Sequence, residues 1–460
     1  MRFAVAGGGV AGLAAALAVA RAGHEAVVVE RDAVGPQPDP GGAFDVARHG
    51  IPHFLQPHAF LPRGRRVLRE LAPDVLQALR DVGAEEQDVA QRLRGPREPG
   101  DEDLVYLWVR RPLIEWALRR AAAAEPGVEL RAASTVTGLV TDGEARATGL
   151  RTDDGDDIRA DVVVDALGRY RTPAGWPRAE AQPVECGAIY YCRYFALEDG
   201  ARRPDGGGVP NPRGDLGYMG FNTFRGDNRT FAIILLVPAH DRELRVLRDD
   251  DAWMAACGAI RPLDAMTSPG VAHPLTDVLP MGGLSNVLRT GDPGVRGLAP
   301  VGDALCHTNP SYAFGMAFAL VHAQSLARAA SAHADADAIV DAFLDDVRPE
   351  ARERYAFACE TDAARVRAWR GERLEVGRRD GCYPLFAFAA ALAAAPYDDL
   401  VLRRAIGRIG LLDRLSSFDD DPELHDRIER IFAELMADPP APPGPPREEL
   451  LALASAHRTS

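Results

Sequence analysis

Arg2-Phe3-Ala4-Val5-Ala6-Gly7-Gly8-Gly9-Val10-Ala11-Gly12, followed at a distance by Glu30-Arg31, is the stretch on which the fold of this chain turns. Phe3–Ala6 is a short apolar run suited to a parallel strand buried on both faces. Gly7, Gly9 and Gly12 follow with the spacing G-x-G-x-x-G. The first glycine allows a tight turn, the second lets a pyrophosphate approach the backbone, and the third lets a helix pack closely on the strand. An alanine-rich helix from Ala11 to about Ala22 and a second apolar strand, Ala26–Val29, complete the unit. The unpaired N–H groups at the helix start face whatever anion lies over the turn. Glu30, at the end of the second strand, has the position and charge to accept the ribose hydroxyls of an adenosine and to repel a 2′-phosphate. The competing reading of Val10–Ala22 as a secretory core is the poorer one, because three glycines stand at functional spacing and a second strand follows at once.

The chain has 460 residues, more than one hydrophobic core normally serves, so two or three lobes are expected. Hydrophobic residues make up 47% and charged residues 26%, as in globular proteins. A formal net charge of −14 argues against nucleic acid as the main partner. The six cysteines, at 186, 192, 257, 306, 359 and 382, show no C-x-x-C or zinc-type spacing. They fit reduced thiols in a cytoplasmic protein, and no metal site is expected. No apolar run approaches the length of a membrane span; Ala387–Ala395 comes nearest.

Further along, Val67, Leu68, Leu71, Val75, Leu76 and Leu79 predict one helix over Arg63–Leu79, and Gln87–Asp103 reads as a loop or flap. A strand at Leu104–Val109 and a helix opened by Pro112 follow. Thr135–Val140, Ala145–Thr152 and Asp156–Arg159 predict strands, and Asp161–Ala166 a buried one. From Cys186 the texture becomes strand-rich. Ala188–Leu197 alternates, with Ile189, Tyr191, Arg193 and Phe195 sharing one face, and strands are expected at Leu216–Phe224 and Thr230–Val237 around the loop Gly206–Gly208. This predicts an inserted antiparallel sheet. The chain then returns through Leu298–Val301 to Gly302-Asp303, a helix at Gly315–Ala330, an almost wholly helical region to Ala437, a Pro-rich breaker at Pro439–Pro446 and a poorly ordered tail from Arg447.

Two more stretches carry chemistry. Arg110-Arg111-Pro112 places a guanidinium at a helix start, where it can pair with a phosphate. Gly302-Asp303 is followed by Pro310 and then Gly315-Met316, in the order G-D-x6-P-x-x-G-x-G except that Ala313 stands at the first glycine of the closing pair. With these residues the chain resembles the FAD-dependent monooxygenases of the aromatic hydroxylase and epoxidase group, over about residues 1–330. The resemblance implies an α/β fold: a glutathione-reductase-like Rossmann FAD domain in two parts (1–185 and 291–330), an inserted antiparallel-sheet substrate domain (186–290), a C-terminal helical region (331–438) and a Pro-rich linker and tail (439–460).

The resemblance also implies a cofactor-binding set: Gly7, Gly9, Val10, Ala11, Gly12, Glu30, Arg31, Arg111, Val136, Gly302, Asp303, Pro310, Gly315 and Met316. In it Arg111 lies near the FAD phosphates and Asp303 binds the ribityl hydroxyls. Pro310–Met316 runs beside the isoalloxazine ring, with the positive end of the following helix at its N1–C2=O edge. Reduced flavin would react with O2 to a C4a-hydroperoxide that hydroxylates or epoxidises a small organic substrate, in secondary metabolism. The alternative is a dehydrogenase or double-bond reductase of the same fold; a third reading keeps the fold for ligand binding alone. Leu167-Gly168 stands where relatives using NAD(P)H directly carry Asp-Gly, so the electron source is either NAD(P)H or a partner flavin reductase. Halogenase relatives carry W-x-W-x-I-P and a catalytic lysine; no such run occurs here, and the chain has no lysine, all 53 of its Lys+Arg residues being Arg. His58, Arg193 and Tyr191 are the catalytic candidates. His58 either bonds the flavin or its oxygen adduct, or satisfies backbone groups. His307 has the same two readings. Tyr191 and Arg193 either hold an acidic or phenolic group or serve as a core tyrosine and a surface arginine. The chain would act as a monomer or homodimer.

Overall fold

A computed structural model of the chain describes all residues except 38, 144, 170–171, 205–210, 373–389, 392, 411–420, 439–440 and 459–460. Gly206–Gly208, Cys382 and part of the Ala387–Ala395 run therefore lie outside the described residues. The centre is a five-stranded parallel sheet in the order Leu298–Pro300, Val162–Asp165, Arg2–Ala6, Glu25–Val29, Val128–Arg131. Its strands are runs of Val and Ala because helices or further sheets cover both faces; Phe3, Val5, Val162 and Val164 are all fully buried. One edge strand is supplied only after residue 290, so the insert leaves and re-enters the same sheet.

The helix Val10–Arg21 packs on this sheet through alanines, and the helix Phe314–Ala332 packs on it in turn. Both are apolar nearly all round, as fits helices covered on every side. The helix expected over Arg63–Leu79 is two helices, Pro62–Leu71 and Pro73–Asp81. Pro73 is the reason: it pushes the preceding residue out of the helical region, and Ala72 sits at φ −145°, ψ 65°. The start of the expected flap, Gln87-Asp88, is the end of a strand, Glu85–Asp88, paired with Val105–Trp108.

The insert is a six-stranded antiparallel sheet. The path Arg213–Asp215, Gly220–Arg225, Thr230–Pro238, Ala188–Leu197, Ala272–Pro274 carries Leu279–Met281 as a further partner of Ala188–Leu197. The strand expected over Leu216–Phe224 is broken by a turn at Leu216–Met219. One face of the sheet packs on the helices Asp250–Gly258 and Arg261–Thr267 around the fully buried Trp253. The other face looks toward the first lobe and holds Tyr190, Cys192, Tyr194 and Phe224, packed with Trp108 of that lobe.

The C-terminal region begins with the helix Ala336–Trp369, which runs through Pro349 and packs along Phe314–Ala332. The tail expected to lack order is instead a helix, Arg447–Ala456. Leu450 and Ala454 are fully buried in the core of the insert, and Arg447 pairs with Asp241 and Glu243. The signal was present as apolar residues at helical spacing, but it is too short to hold a helix without the surface it docks on. Among the described residues no helix is long and apolar enough to cross a membrane.

Candidate cofactor and active site

The glycine turn takes the geometry its spacing predicts. Gly7 has φ +104°, and a Cβ there would lie 2.6 Å from the Ala166 carbonyl oxygen. A Cβ on Gly12 would lie 1.9 Å from the Gly7 oxygen, so the turn closes only on glycine. Above Gly9 there is open space, the nearest atom to an added Cβ being Ile51 Cδ1 at 3.8 Å. The turn is thus open to a ligand on the side of Gly9.

Glu30 lies beside this turn and is buried. It accepts the Gly8 N–H (3.0 Å), the Asp32 N–H (2.9 Å) and a guanidinium N–H of Arg48 (3.1 Å). Burial pushes the carboxyl up, but Arg48 and the Asp32 N–H outweigh it and hold the group below its ordinary value. A carboxylate has roughly four acceptor sites, and three are taken, which leaves room for one hydroxyl donor. Arg48 also donates to Asp32 (3.0 Å) and Glu115 (3.0 Å), and Glu115 accepts from Arg111 Nε at 3.0 Å. Arg119 donates to the Gly8 carbonyl at 2.7 Å. Sequence reasoning missed Arg48 and Arg119, since no spacing relates either to the turn. The one hint is that Arg48 stands in the stretch 45–62, where His49, His53 and His58 lie among apolar residues.

The second half of the site is the turn Gly302–Ala304. Gly302 has φ +57°, and a Cβ there would press on Ala11 at 2.9 Å, so this turn touches the first. Its N–H donates to His322 Nδ1 at 3.0 Å. His322 is buried, and burial, with Arg63 adding, lowers it to about 3. Asp303 bonds His307 Nδ1 at 3.1 Å, and the other ring nitrogen of His307 accepts from Arg169. Burial pushes Asp303 up, but His307, His53 and Arg111 prevail and hold it well below the usual carboxylate value.

Asn309–Tyr312 is fixed from behind by the C-terminal helix Ala336–Trp369. Asp362 accepts from Asn309 Nδ2 (2.8 Å), the Tyr312 hydroxyl (2.8 Å), Asn286 Nδ2 (2.9 Å) and Arg365 (3.1 Å). Tyr190 donates to Asn309 Oδ1 and lies 2.5 Å from Ser311 Oγ. Burial raises Asp362 despite these donors. Ala313, where a glycine was expected, sits in the left-handed region at φ 56° and opens the helix Phe314–Ala332. The departure is one of residue type, since the backbone conformation that favours glycine is kept.

His58 Nδ1 donates to the Gln56 carbonyl at 2.7 Å, leaving Nε2 as an acceptor 3.4 Å from Arg111. Burial, then Arg111, lowers His58 to about 3. His53 lies beside it, ring centroids 5.7 Å apart, and burial with Arg111 sets it well below its ordinary value. Both imidazoles are neutral at pH 7.

These parts line one cavity of about 410 Å³. Gly7, Gly9, Val10, Ala11, Glu30, Arg31, Arg111 and Val136 line it with Gly302, Asp303, Pro310, Gly315 and Met316, and His58 and His307 join them. Gly12 lies beneath, as packing requires. Tyr191 and Arg193 are corrections. They share a face as expected, but that face turns away from the cavity. Tyr191 packs in the core around Trp253, and Arg193 donates to the Thr276 carbonyl (2.7 Å) and Asp250 (2.9 Å). Tyr190, on the opposite face, reaches the site instead. A dinucleotide fits this cavity on independent grounds: the open cradle over Gly9 and a buried Arg31 Nη2 with no partner at that end.

Residues 3–169 match the family model described as FAD dependent oxidoreductase. Over that part the chain is similar to the FAD-dependent oxidoreductases. Among curated proteins none matches the sequence. Among solved structures it is similar to PqsL, a probable FAD-dependent monooxygenase from Pseudomonas aeruginosa, at 17% identity over 81% of this chain and 98% of that one, TM-score 0.58. It is also similar to the flavin-dependent brominase Bmp2 at 16% identity over 94% and 100%, TM-score 0.62. A third is 2-methyl-3-hydroxypyridine-5-carboxylic acid oxygenase, at 19% identity over 80% and 92%, TM-score 0.53. At such identities the likeness speaks for the fold.

Proposed function

We propose that the chain is an FAD-dependent monooxygenase that places one oxygen atom from O2 on a small organic substrate. The observation that carries the reading is the single cavity joining the glycine turn to Asp303 and continuing to Phe224 and Met281 of the inserted sheet. FAD, when bound, supplies the activation of O2. The chain's residues orient it. Glu30 has one acceptor site left for a ribose hydroxyl, Arg31 and Arg111 would hold the phosphates, and Asp303, kept ionised, would accept the ribityl hydroxyls. Gly315 and Met316 put the first turn of their helix, with its unpaired N–H groups, at the cavity wall, where it would meet the ring. The inserted sheet, residues 186–290 in this reading, covers the far end and keeps water out. His58 and His53 are neutral and offer hydrogen bonds without charge.

The fold is shared with a brominase, so fold alone does not separate oxygenation from halogenation. No lysine lines the cavity, and this supports the oxygenase. Electrons come from NAD(P)H or from a partner flavin reductase. The test begins with purified protein and FAD: a yellow, stoichiometric complex is expected, and a protein that takes up no FAD ends the reading. Turnover under ¹⁸O2 is then expected to label the product once. A product that gains or loses two hydrogens with no label would make the chain a dehydrogenase or reductase of the same fold.

A further inference from the structure

Pro310–Met316, the part of the cavity wall that would run beside the flavin ring, is not held by the first lobe alone. The inserted sheet reaches that lobe through polar bonds as well as packing, one of them from Gln56 Nε2 to the Leu279 carbonyl at 3.1 Å. Another comes from Tyr190, on the strand Ala188–Leu197, where it pairs in register with Met281. Met281 lines the cavity, whereas Tyr190 stands behind the wall and is 2% exposed. Its hydroxyl meets Asn309 Oδ1 and Ser311 Oγ.

The direction of these bonds follows from the groups behind them. The Asp362 carboxylate lies 2.8 Å from the Asn309 amide, so Nδ2 turns to it and Oδ1 turns to Tyr190. Oδ1 also accepts the Ser311 N–H at 3.0 Å, which caps the turn Pro310–Tyr312. The Asn309 N–H is taken by Asn286 Oδ1 at 2.7 Å. An amide oxygen only accepts, so the Tyr190 O–H points at it, and the Ser311 hydroxyl donates to the Tyr190 oxygen. Burial pushes the Tyr190 hydroxyl up, so it keeps its proton. The turn ends at Ala313, the next residue opens the helix Phe314–Ala332, and Gly315 and Met316 of its first turn line the cavity. What moves Asn309 therefore moves the positive end of that helix.

We infer that Tyr190 is a positioning residue: its hydroxyl is the link by which the inserted sheet sets the turn Asn309–Ala313 and, through it, the helix end that favours the extra negative charge of reduced flavin. The inference rests on the flavoenzyme reading. FAD uptake is measured first and by itself, so a failure of that reading shows there. Tyr190→Phe keeps the ring and changes no charge. Asp303, Arg111 and Arg169 of the cavity wall stay as they are, so a change in the potential of bound FAD reads geometry.

Oxidised FAD is titrated onto Tyr190→Phe by flavin fluorescence, and the midpoint potential of the bound flavin is measured against a reference dye. Together the two give the affinity for reduced FAD. Reduced FAD is expected to lose about threefold to tenfold more affinity than oxidised FAD, part of what a helix end contributes to a nearby charge. That ratio equals a fall of about 14–30 mV in the two-electron midpoint potential. Tyr191→Phe, on the opposite face of the same strand, is expected to match the unmodified protein in both measurements. Equal losses for the two redox forms would leave Tyr190 a packing residue and overturn the inference. So would a potential that stays or rises, or the same fall in Tyr191→Phe. If Tyr190→Phe does not fold, Ser311→Ala decides in its place, because it removes the hydroxyl that donates to Tyr190. A lower potential is expected there too, and an unchanged or higher one overturns the inference.

Discussion

Arg48 is held by three carboxylates, those of Glu30, Asp32 and Glu115, each 3.0 or 3.1 Å away, with its side chain almost wholly out of water. Removing the guanidinium would leave buried carboxylates uncompensated beside the glycine turn. Arg48→Met is expected to lower the unfolding free energy by about 3–5 kcal/mol, measured by urea denaturation. A loss below about 1 kcal/mol would mean that Arg111 and Arg119 neutralise the cluster without it. His322 gives a second expectation at this scale. Its lone pair on Nδ1 accepts the Gly302 N–H, and burial lowers it from 6.5 to about 3. Between those values the unfolded chain holds the proton and the folded one does not. Stability should therefore fall as pH drops below about 6.5, with a slope approaching about 1.4 kcal/mol per pH unit from this histidine. His58, on a cavity wall reached by solvent, adds a smaller amount of the same sign. Denaturation at a series of pH values checks the sign, and stability constant from pH 7 to 5 would contradict it.

Among the elements, the helix Phe314–Ala332 depends on how it begins. Ala313 takes a left-handed conformation that costs an L-residue about 1–2 kcal/mol. Ala313→Gly is expected to raise stability by up to about 1 kcal/mol, the relief being offset in part by glycine's greater freedom in the unfolded chain. Thermal unfolding reads this directly. The turn before that helix is held by Asp362 from a different helix. Asp362→Leu would orphan the Asn286, Asn309 and Tyr312 donors and the Arg365 charge together, at an expected cost of about 3–5 kcal/mol. Because the loop lines the cavity, FAD affinity should fall with it, which fluorescence titration would show. The strand Ala188–Leu197 adds a different lesson. Its alternation was visible in the sequence, yet the face bearing Tyr191 and Arg193 went to the core, and Tyr190 on the other face went to the site. A period of two defines two faces without saying which one meets the first lobe.

For the molecule as a whole, the cavity between the lobes makes cofactor and fold interdependent. FAD at a hundred times its Kd is expected to add about 2.7 kcal/mol to the unfolding free energy, seen as a concentration-dependent rise in Tm. No rise would mean that the cavity does not take the dinucleotide. The C-terminal helices take part in the same arrangement: Ala336–Trp369 buttresses the loop at Asn309, and Arg447–Ala456 closes the core of the insert.

By itself the sequence determined what short-range chemistry dictates. It supplied the strand, glycine turn, helix and acid from Arg2 to Glu30, the strand leading to Asp303, the guanidinium at Arg111 and the strand-rich insert, since spacing and turn residues act over a few residues. Tertiary structure alone decided which strangers meet: Arg48 with Glu30, Asp362 with Asn309, Gln56 with Leu279, Tyr190 rather than Tyr191 with the site. Those contacts join residues tens to hundreds of positions apart, and their partners are selected by packing and by the need to pair buried polar groups, neither of which leaves a period in the chain.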